Sequence, residues 1–403
     1  MCVKLVDMSD FSVHHVDPVP TGTEWSDPRR HHWWFGLIVP ALPFVASGLV
    51  LATGLAIFWW TGPFLVFGLM PLLDRVQGRD TLNPPESAVP TLEADRYYRW
   101  VTFAFVPLQY LSLVWAAAIW SGSISSIGHL SVWSSLGLAA TVGCVAGIAI
   151  NTAHELGHKH PAVERWLSKV ALAQSGYGHF QLEHNRGHHA KVSTPADPAS
   201  SRFGEHVYEF LPRTVVGSLR SSIELERERE ARLGQRFWSP ANELLNAWVM
   251  SVAIAAALIA VFGWVVAPWL AIQAVIGFCL LEVVNYVEHY GLLRDRRADG
   301  RYERCRPEHS WNANHRASNL VLFQLQRHSD HHASPTRRYQ SLRDFEEAPQ
   351  LPTGYAGMIL LAMFPPLWRR VMDPRVLAFY DGDVSRTNLH PRRRDALLER
   401  HGL

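Results

Sequence analysis

Cysteine is scarce in this chain, with four residues in 403: Cys2, Cys144, Cys279 and Cys305. No two are spaced as CxxC, which excludes a cysteine-ligated iron or zinc module within the chain and implies no disulfide framework. No GxGxxG follows a strand-like run and no flavin motif stands out, so the chain is not expected to draw electrons from NAD(P)H unaided. Net charge is only +2, which gives no reason to expect nucleic acid as a partner. Most informative is where charge is missing. Asp, Glu, Lys and Arg are absent from His31 to Leu73, from Trp100 to Ala153, and from Leu244 to Leu281. Each run is about twice the roughly 20 residues that one membrane-crossing helix needs, so each reads as a hairpin of two spans. A soluble core rarely holds three such runs, and we expect a polytopic membrane protein. No signal peptide is expected, because polar and acidic residues precede the first apolar run.

Taken in order, residues 1–30 read as a loose polar lead-in. The first hairpin is expected near Trp33–Leu51 and Leu55–Leu73, broken around Ala52-Thr53-Gly54. The second is expected near Val101–Trp120 and Leu130–Thr152, the third near Leu245–Phe262 and Trp269–Tyr290. The hairpin tips carry no Lys or Arg, whereas every segment outside them does. By the positive-inside rule, both termini and all long loops are then cytoplasmic. The predicted fold is an all-α integral membrane protein, its six transmembrane helices paired as three hairpins under a cytoplasmic histidine-rich helical cap. The expected units are the lead-in 1–30, a membrane domain 31–292 with a cytoplasmic insert 153–243, and a cytoplasmic cap 293–403. The apolar patch Tyr355–Trp368 is too short to span and is expected either to lie on the membrane surface or to cover the site.

What the chain has in excess is histidine at helical spacing. His154-Glu155-Leu156-Gly157-His158, His184-Asn185-Arg186-Gly187-His188-His189 and His328-Ser329-Asp330-His331-His332 each place imidazoles three or four residues apart, hence on one helix face. His289, beside Glu288 at the end of the last span, adds another. The candidate metal ligands are His154, His158, His184, His188, His189, His289, His328, His331 and His332. One transition metal takes four to six ligands, so nine imidazoles suit two ions. Glu155, Glu183, Asp197, Glu288, Asp330 and His315 are candidates to orient those rings from behind. His179 and His309 lie near the boxes without paired spacing, and the remaining histidines read as solvated or interfacial. His154–His158 also matches HExxH, the helical zinc-protease motif with glutamate as general base. A zinc hydrolase needs about three protein ligands and would leave six histidines without a role, so it stands as the rival reading. A non-enzymatic metal carrier is a second rival.

The three boxes, with Asn285-Tyr286-Val287-Glu288-His289-Tyr290-Gly291-Leu292, Asn83-Pro84-Pro85-Glu86, Ser310-Trp311-Asn312 and Tyr339 to Phe345, resemble the integral-membrane non-haem di-iron family. Within that family the likeness is to the alkane 1-monooxygenase branch, and it covers the chain from about Trp33 to Asp373. The resemblance implies two iron ions, O2 as co-substrate, and hydroxylation of the terminal methyl of medium-chain n-alkanes to primary alcohols. The alternative it leaves is a related di-iron membrane oxygenase or desaturase acting on xylene-type or fatty-acyl substrates. It further implies a bacterial inner-membrane location and reduced rubredoxin as electron donor, with a flavin-dependent rubredoxin reductase upstream. An acidic donor would suit the arginines Arg294, Arg296, Arg297, Arg301, Arg304 and Arg306, then Arg337, Arg338, Arg369 and Arg370. For the substrate slot the expected lining comes from the second span: Trp60, Phe64, Val66 and Phe67, with Trp59 and Leu69 beside them.

Overall fold

In lipid an uncharged run can satisfy its own backbone only as a helix, and each of the three runs folds as two. The computed structural model describes residues 25–402. The first run forms α1 (His32–Thr53) and α2 (Ala56–Gln77), and the second α3 (Arg96–Trp120) and α4 (Val132–Gly157). An insert follows with α5 (Ala162–Ala173), a helix α6 over 179–191 and α7 (Val207–Arg232). The third run forms α8 (Glu243–Phe262) and α9 (Trp264–His289). Beyond it lie α10 (His328–Ala333), α11 (Tyr355–Ala362) and α12 (Pro365–Phe379). Among the described residues there is no strand, only isolated bridges. The chain is therefore an all-helical, multi-pass membrane protein with six helices long and apolar enough to cross.

Local signals explain the breaks. Gly54 ends α1 at φ 73°, a left-handed conformation that side chains with a Cβ resist, and it falls where the sequence predicts the break. Asp95, Ser131 and Asn242 cap α3, α4 and α8, each side chain accepting a backbone N–H of the first turn.

The bundle is organised around α4, whose apolar stretch is 78% buried against 17% for α8. Small residues let it approach its neighbours closely. A Cβ on Gly277 of α9 would meet the Ala146 side chain at 2.8 Å and the Gly147 backbone N at 3.2 Å. One on Gly62 of α2 would sit 2.6 Å from the Thr141 Cα, and the Gly62 N–H donates to the Thr141 hydroxyl at 2.9 Å.

The segment after α9 is pinned over the ends of the spans by buried polar bonds. Arg327 is fully buried and donates to the carbonyls of Leu82 (2.9 Å) and Leu342 (2.6 Å) and to the Asn314 side chain (3.0 Å). It also faces the Asp80 carboxylate at 3.4 Å, which Arg29 contacts at 2.5 Å. Part of the expected lead-in is thus anchored: Asp27 is buried and accepts from Trp33 Nε1 and the Arg29 N–H. Residues 1–24 of that lead-in, with Cys2, His14 and His15, lie outside the described residues. Of the segment Tyr355–Trp368, the first helix packs inward against the bundle. Tyr355, Ala356 and Ile359 of α11 form one wall of the cavity described below.

Candidate metal centre

All nine histidines come together where α4 and α9 end. His154 stands on the last turn of α4 and His158 caps its end, and His289 is the final residue of α9. His184, His188 and His189 come from α6, and His328, His331 and His332 from α10. They sort into two groups, His154, His158, His184, His189 and His331 in one, and His188, His289, His328 and His332 in the other. Within each group one ring nitrogen per residue lies within 4.8 Å of all the others. The groups adjoin: the rings of His189 and His332, from opposite groups, are 4.4 Å apart between centroids.

The partition does not follow the spacing. An i, i+4 pair would put His184 with His188, yet His184 shares a group with His189. The cause is a π-helical turn over His184–His188, in which the stacked position is i+5 rather than i+4. Gly187 allows it, since a Cβ there would lie 2.5 Å from the Glu183 carboxylate. On α10 ordinary helical geometry keeps His328 with His332 and sends His331 to the other group.

The donor set fits divalent transition metals. Burial, reinforced by neighbouring imidazoles, pushes the pKa of His158, His184, His189, His328, His331 and His332 down, leaving neutral rings with a free lone pair. For His188 burial acts the same way, but the Asp197 carboxylate outweighs it and the net direction is upward. Buried Nε2 atoms of His154, His158 and His188 have no hydrogen-bond partner. Others face one another, His332 and His328 at 2.9 Å and His184 and His189 at 3.1 Å. Two acceptors cannot hydrogen-bond each other; a shared cation satisfies both. Groups of five and four imidazoles are what two such ions would take.

Comparison with known proteins places this architecture. The fatty acid desaturase family model matches residues 131–362, which include every box. The chain is 46% identical over 383 residues to the alkane 1-monooxygenase of Acinetobacter baylyi, spanning 94% of this chain and 92% of that one. To the alkane 1-monooxygenase of Pseudomonas putida it is 48% identical over 366 residues, 91% and 90% of the two chains. The chain belongs to the alkane 1-monooxygenase family. It is accordingly an oxidoreductase, and its two histidine groups sit in a fold whose wider family is di-iron. A more distant relative is the hydroxylase component of the Pseudomonas putida xylene/toluene monooxygenase, 27% identical over 237 residues, 56% of this chain and 62% of that one.

The carboxylates behind the rings divide. Asp197 accepts from His188 Nδ1 at 2.9 Å and from the Ser200 hydroxyl at 2.6 Å, while its other oxygen accepts the Ala199 N–H at 3.0 Å. Burial alone would raise it, but the His188 ring and these bonds hold it at about 2. Glu288 contacts His328 Nε2 at 3.1 Å, the nitrogen that also faces His289 and His332, so it stands on the inner side of that ring and not behind it. Glu183, near Asp197 and His188, is pushed up to about 8, by burial first and the Asp197 charge second. The other three point elsewhere, and those expectations are corrected. Glu155 pairs with Lys159 at 3.0 Å and accepts the Tyr339 N–H, because its place on α4 is a fifth of a turn or more from the ligand face. Asp330 is taken by Arg337 and the Arg343 N–H. His315 pairs with Arg79 through its backbone and faces Asp74, away from both groups. Ser200 had no signal of its own beyond standing three residues after Asp197.

The slot is also redrawn. Of the expected lining, Val66 alone borders the apolar cavity, joined by Leu65 and Met70. Phe64 is 66% exposed, Trp60 stacks on Trp133, and Phe67 packs against the core beside α9. A π-helical turn over Leu65–Leu69 shifts the face of α2 that points inward. Several arginines expected on a docking surface are internally committed. Arg294 is buried and donates to the Ala190 and Glu303 carbonyls, Arg337 pairs with Asp330, Arg338 with Glu164, and Arg306 with Glu303. Arg296, Arg297, Arg301, Arg304, Arg369 and Arg370 stay exposed.

Proposed function

We propose that this enzyme hydroxylates the terminal methyl of medium-chain n-alkanes to 1-alkanols, with O2 and two electrons from reduced rubredoxin. The balance is one alkane, one O2, two electrons and two protons giving one alcohol and one water. The observation that carries this reading is a narrow apolar cavity of ≈ 70 Å³ walled by α2, α4, α9 and α11. Val284 and Leu280 line it five and nine residues before His289, and Leu325 lies three residues before His328. Its polar lining groups are spoken for. The Asn151 amide donates to the Leu322 carbonyl at 2.7 Å, and the Ser318 hydroxyl to Asp74 at 2.6 Å. A charged or strongly polar substrate would lose its hydration there and gain no partner, whereas a hydrocarbon chain loses nothing.

Two iron ions in the two histidine groups would supply the reduction of O2. The chain's own residues do the rest. Nine imidazoles hold cations without cancelling their charge, which keeps the pair electron-poor. Asp197 keeps the proton of His188 on Nδ1 and so aims Nε2 inward. The cavity wall excludes water and guides a chain end to the centre by shape.

In this reading the lead-in 1–30, the membrane domain 31–292 and the cap 293–403 keep their division, with the termini and cap cytoplasmic at a bacterial inner membrane. The exposed arginines, Arg296 to Arg304 with Arg369 and Arg370, would steer an acidic rubredoxin, itself reduced by a flavin-dependent reductase. Purified enzyme in lipid nanodiscs, given O2 and reduced rubredoxin, should convert octane to 1-octanol by gas chromatography and contain about two irons per chain. Turnover of xylene or an acyl chain with none of octane would sink the substrate assignment, and one zinc without iron would sink the centre.

A further inference from the structure

Asp197 has a second environment besides His188. It forms part of the wall of an open cleft of ≈ 290 Å³ between the 191–202 loop and α7. Four cations line that cleft: Lys191, Arg202, Arg213 and Arg220. Arg213 is committed to Glu205 at 2.7 Å and to the carbonyls of Pro198 and Ser200. Of the two acids on the wall, Asp197 is held by His188 and Glu224 is exposed. Among the described residues, no carboxylate lies within ion-pair distance of Lys191, Arg202 or Arg220. Arg202 is half-buried, and burial together with the Arg213 guanidinium disfavours its charge. Ser221, 8% exposed, adds a buried hydroxyl on the same wall with no hydrogen-bond partner. A half-buried, unpaired Arg202 beside Arg213, with Lys191 and Arg220 on the same wall and an unsatisfied Ser221 hydroxyl, is an arrangement that an oxyanion would relieve.

We propose that this cleft binds a phosphate-type oxyanion, and that its source is the headgroup of an anionic phospholipid. Depth supports a lipid. His188 packs on His289, the last residue of α9, with centroids 4.9 Å apart, so the cleft lies at the level where the spans end. Basic pockets at that level suit lipid phosphates. On the face of α7 that lines the cleft, between Arg213 and Arg220, Val216 is exposed and gives an acyl chain an apolar contact.

The test is thermal unfolding of detergent-purified enzyme titrated with short-chain phosphatidylglycerol, with phosphatidylcholine, and with inorganic phosphate. Phosphatidylglycerol should raise the Tm saturably, phosphatidylcholine should do little, and phosphate should compete only weakly. Arg202→Ala/Arg220→Ala should weaken the phosphatidylglycerol response about ten-fold or more, as expected for losing charge-assisted contacts. Arg220→Ala alone, at an exposed position, guards against a folding defect and should weaken it partially. Arg296→Ala/Arg297→Ala should respond like the unaltered enzyme. Equal responses in all variants, or no shift with either anion, would overturn the site. Saturation by phosphate alone would overturn the lipid source. A response confined to reduced rubredoxin would reassign the cleft to an acidic protein.

Discussion

Replacing Asp197 by Asn separates the two halves of the centre. The carboxylate is acceptor to three donors, His188 Nδ1 at 2.9 Å, the Ser200 hydroxyl at 2.6 Å and the Ala199 N–H at 3.0 Å. An asparagine of the same shape has one accepting oxygen. If that oxygen stays on the Ala199 N–H, its NH2 faces His188 and forces Nδ1 to accept, which moves the ring proton to Nε2 and removes the lone pair meant for a metal. If it stays on His188, the NH2 confronts the Ala199 N–H and leaves a buried donor unpaired. Loss of such a supporting carboxylate typically weakens metal binding about 10–100-fold, or roughly 1.4–2.7 kcal/mol. His188 belongs to the four-histidine group alone, so only one of the two metals should respond. In a chelator titration followed by metal analysis, Asp197→Asn should release one metal per chain at about 10–100-fold lower chelator and keep the other. Asp330→Asn is the control, since Asp330 binds Arg337 and the Arg343 N–H and no ring. Both metals leaving together, or neither leaving early, would refute the tautomer argument.

Gly277→Val should force α4 and α9 apart, because the new Cβ would lie 2.8 Å from the Ala146 side chain. We expect a loss of about 1–3 kcal/mol and a lower Tm, whereas Gly48→Ala, with nothing within 4 Å, should leave the Tm unchanged or raise it. Arg327→Met removes the partner of buried Asp80 and of two loop carbonyls, and should cost about 3–5 kcal/mol in chemical denaturation. A loss under about 1 kcal/mol would mean the network is dispensable. Val66→Trp should fill the cavity beside α2 and shift the alkane chain-length profile towards shorter products by gas chromatography, while Phe64→Trp, on the outer face, should not.

Much of this enzyme was already legible in its residues. Three charge-free runs of this length point to membrane hairpins, since lipid leaves the backbone no partner outside a helix, and the six helices stand close to where the runs place them. Helical spacing likewise named all nine histidines now gathered at the ends of α4 and α9. What a linear pattern could not supply is direction. One hundred degrees of helix rotation turns Glu155 from a ring partner into a partner of Lys159. A π turn puts His184 with His189 instead of His188, and another turns Val66 inward and Phe64 out. The first of these turns sits where α6 meets α7, a Cβ on Gly187 falling 3.2 Å from Leu225, a contact between elements that meet only after folding. The same holds for arginines that local composition shows as free and tertiary contact commits to Asp330 or Glu164. Residue type and spacing are local and determined what the site is made of. Which ring falls in which histidine group, and which charge remains exposed, are set by contacts between segments far apart in the chain, and the tertiary structure alone decided them.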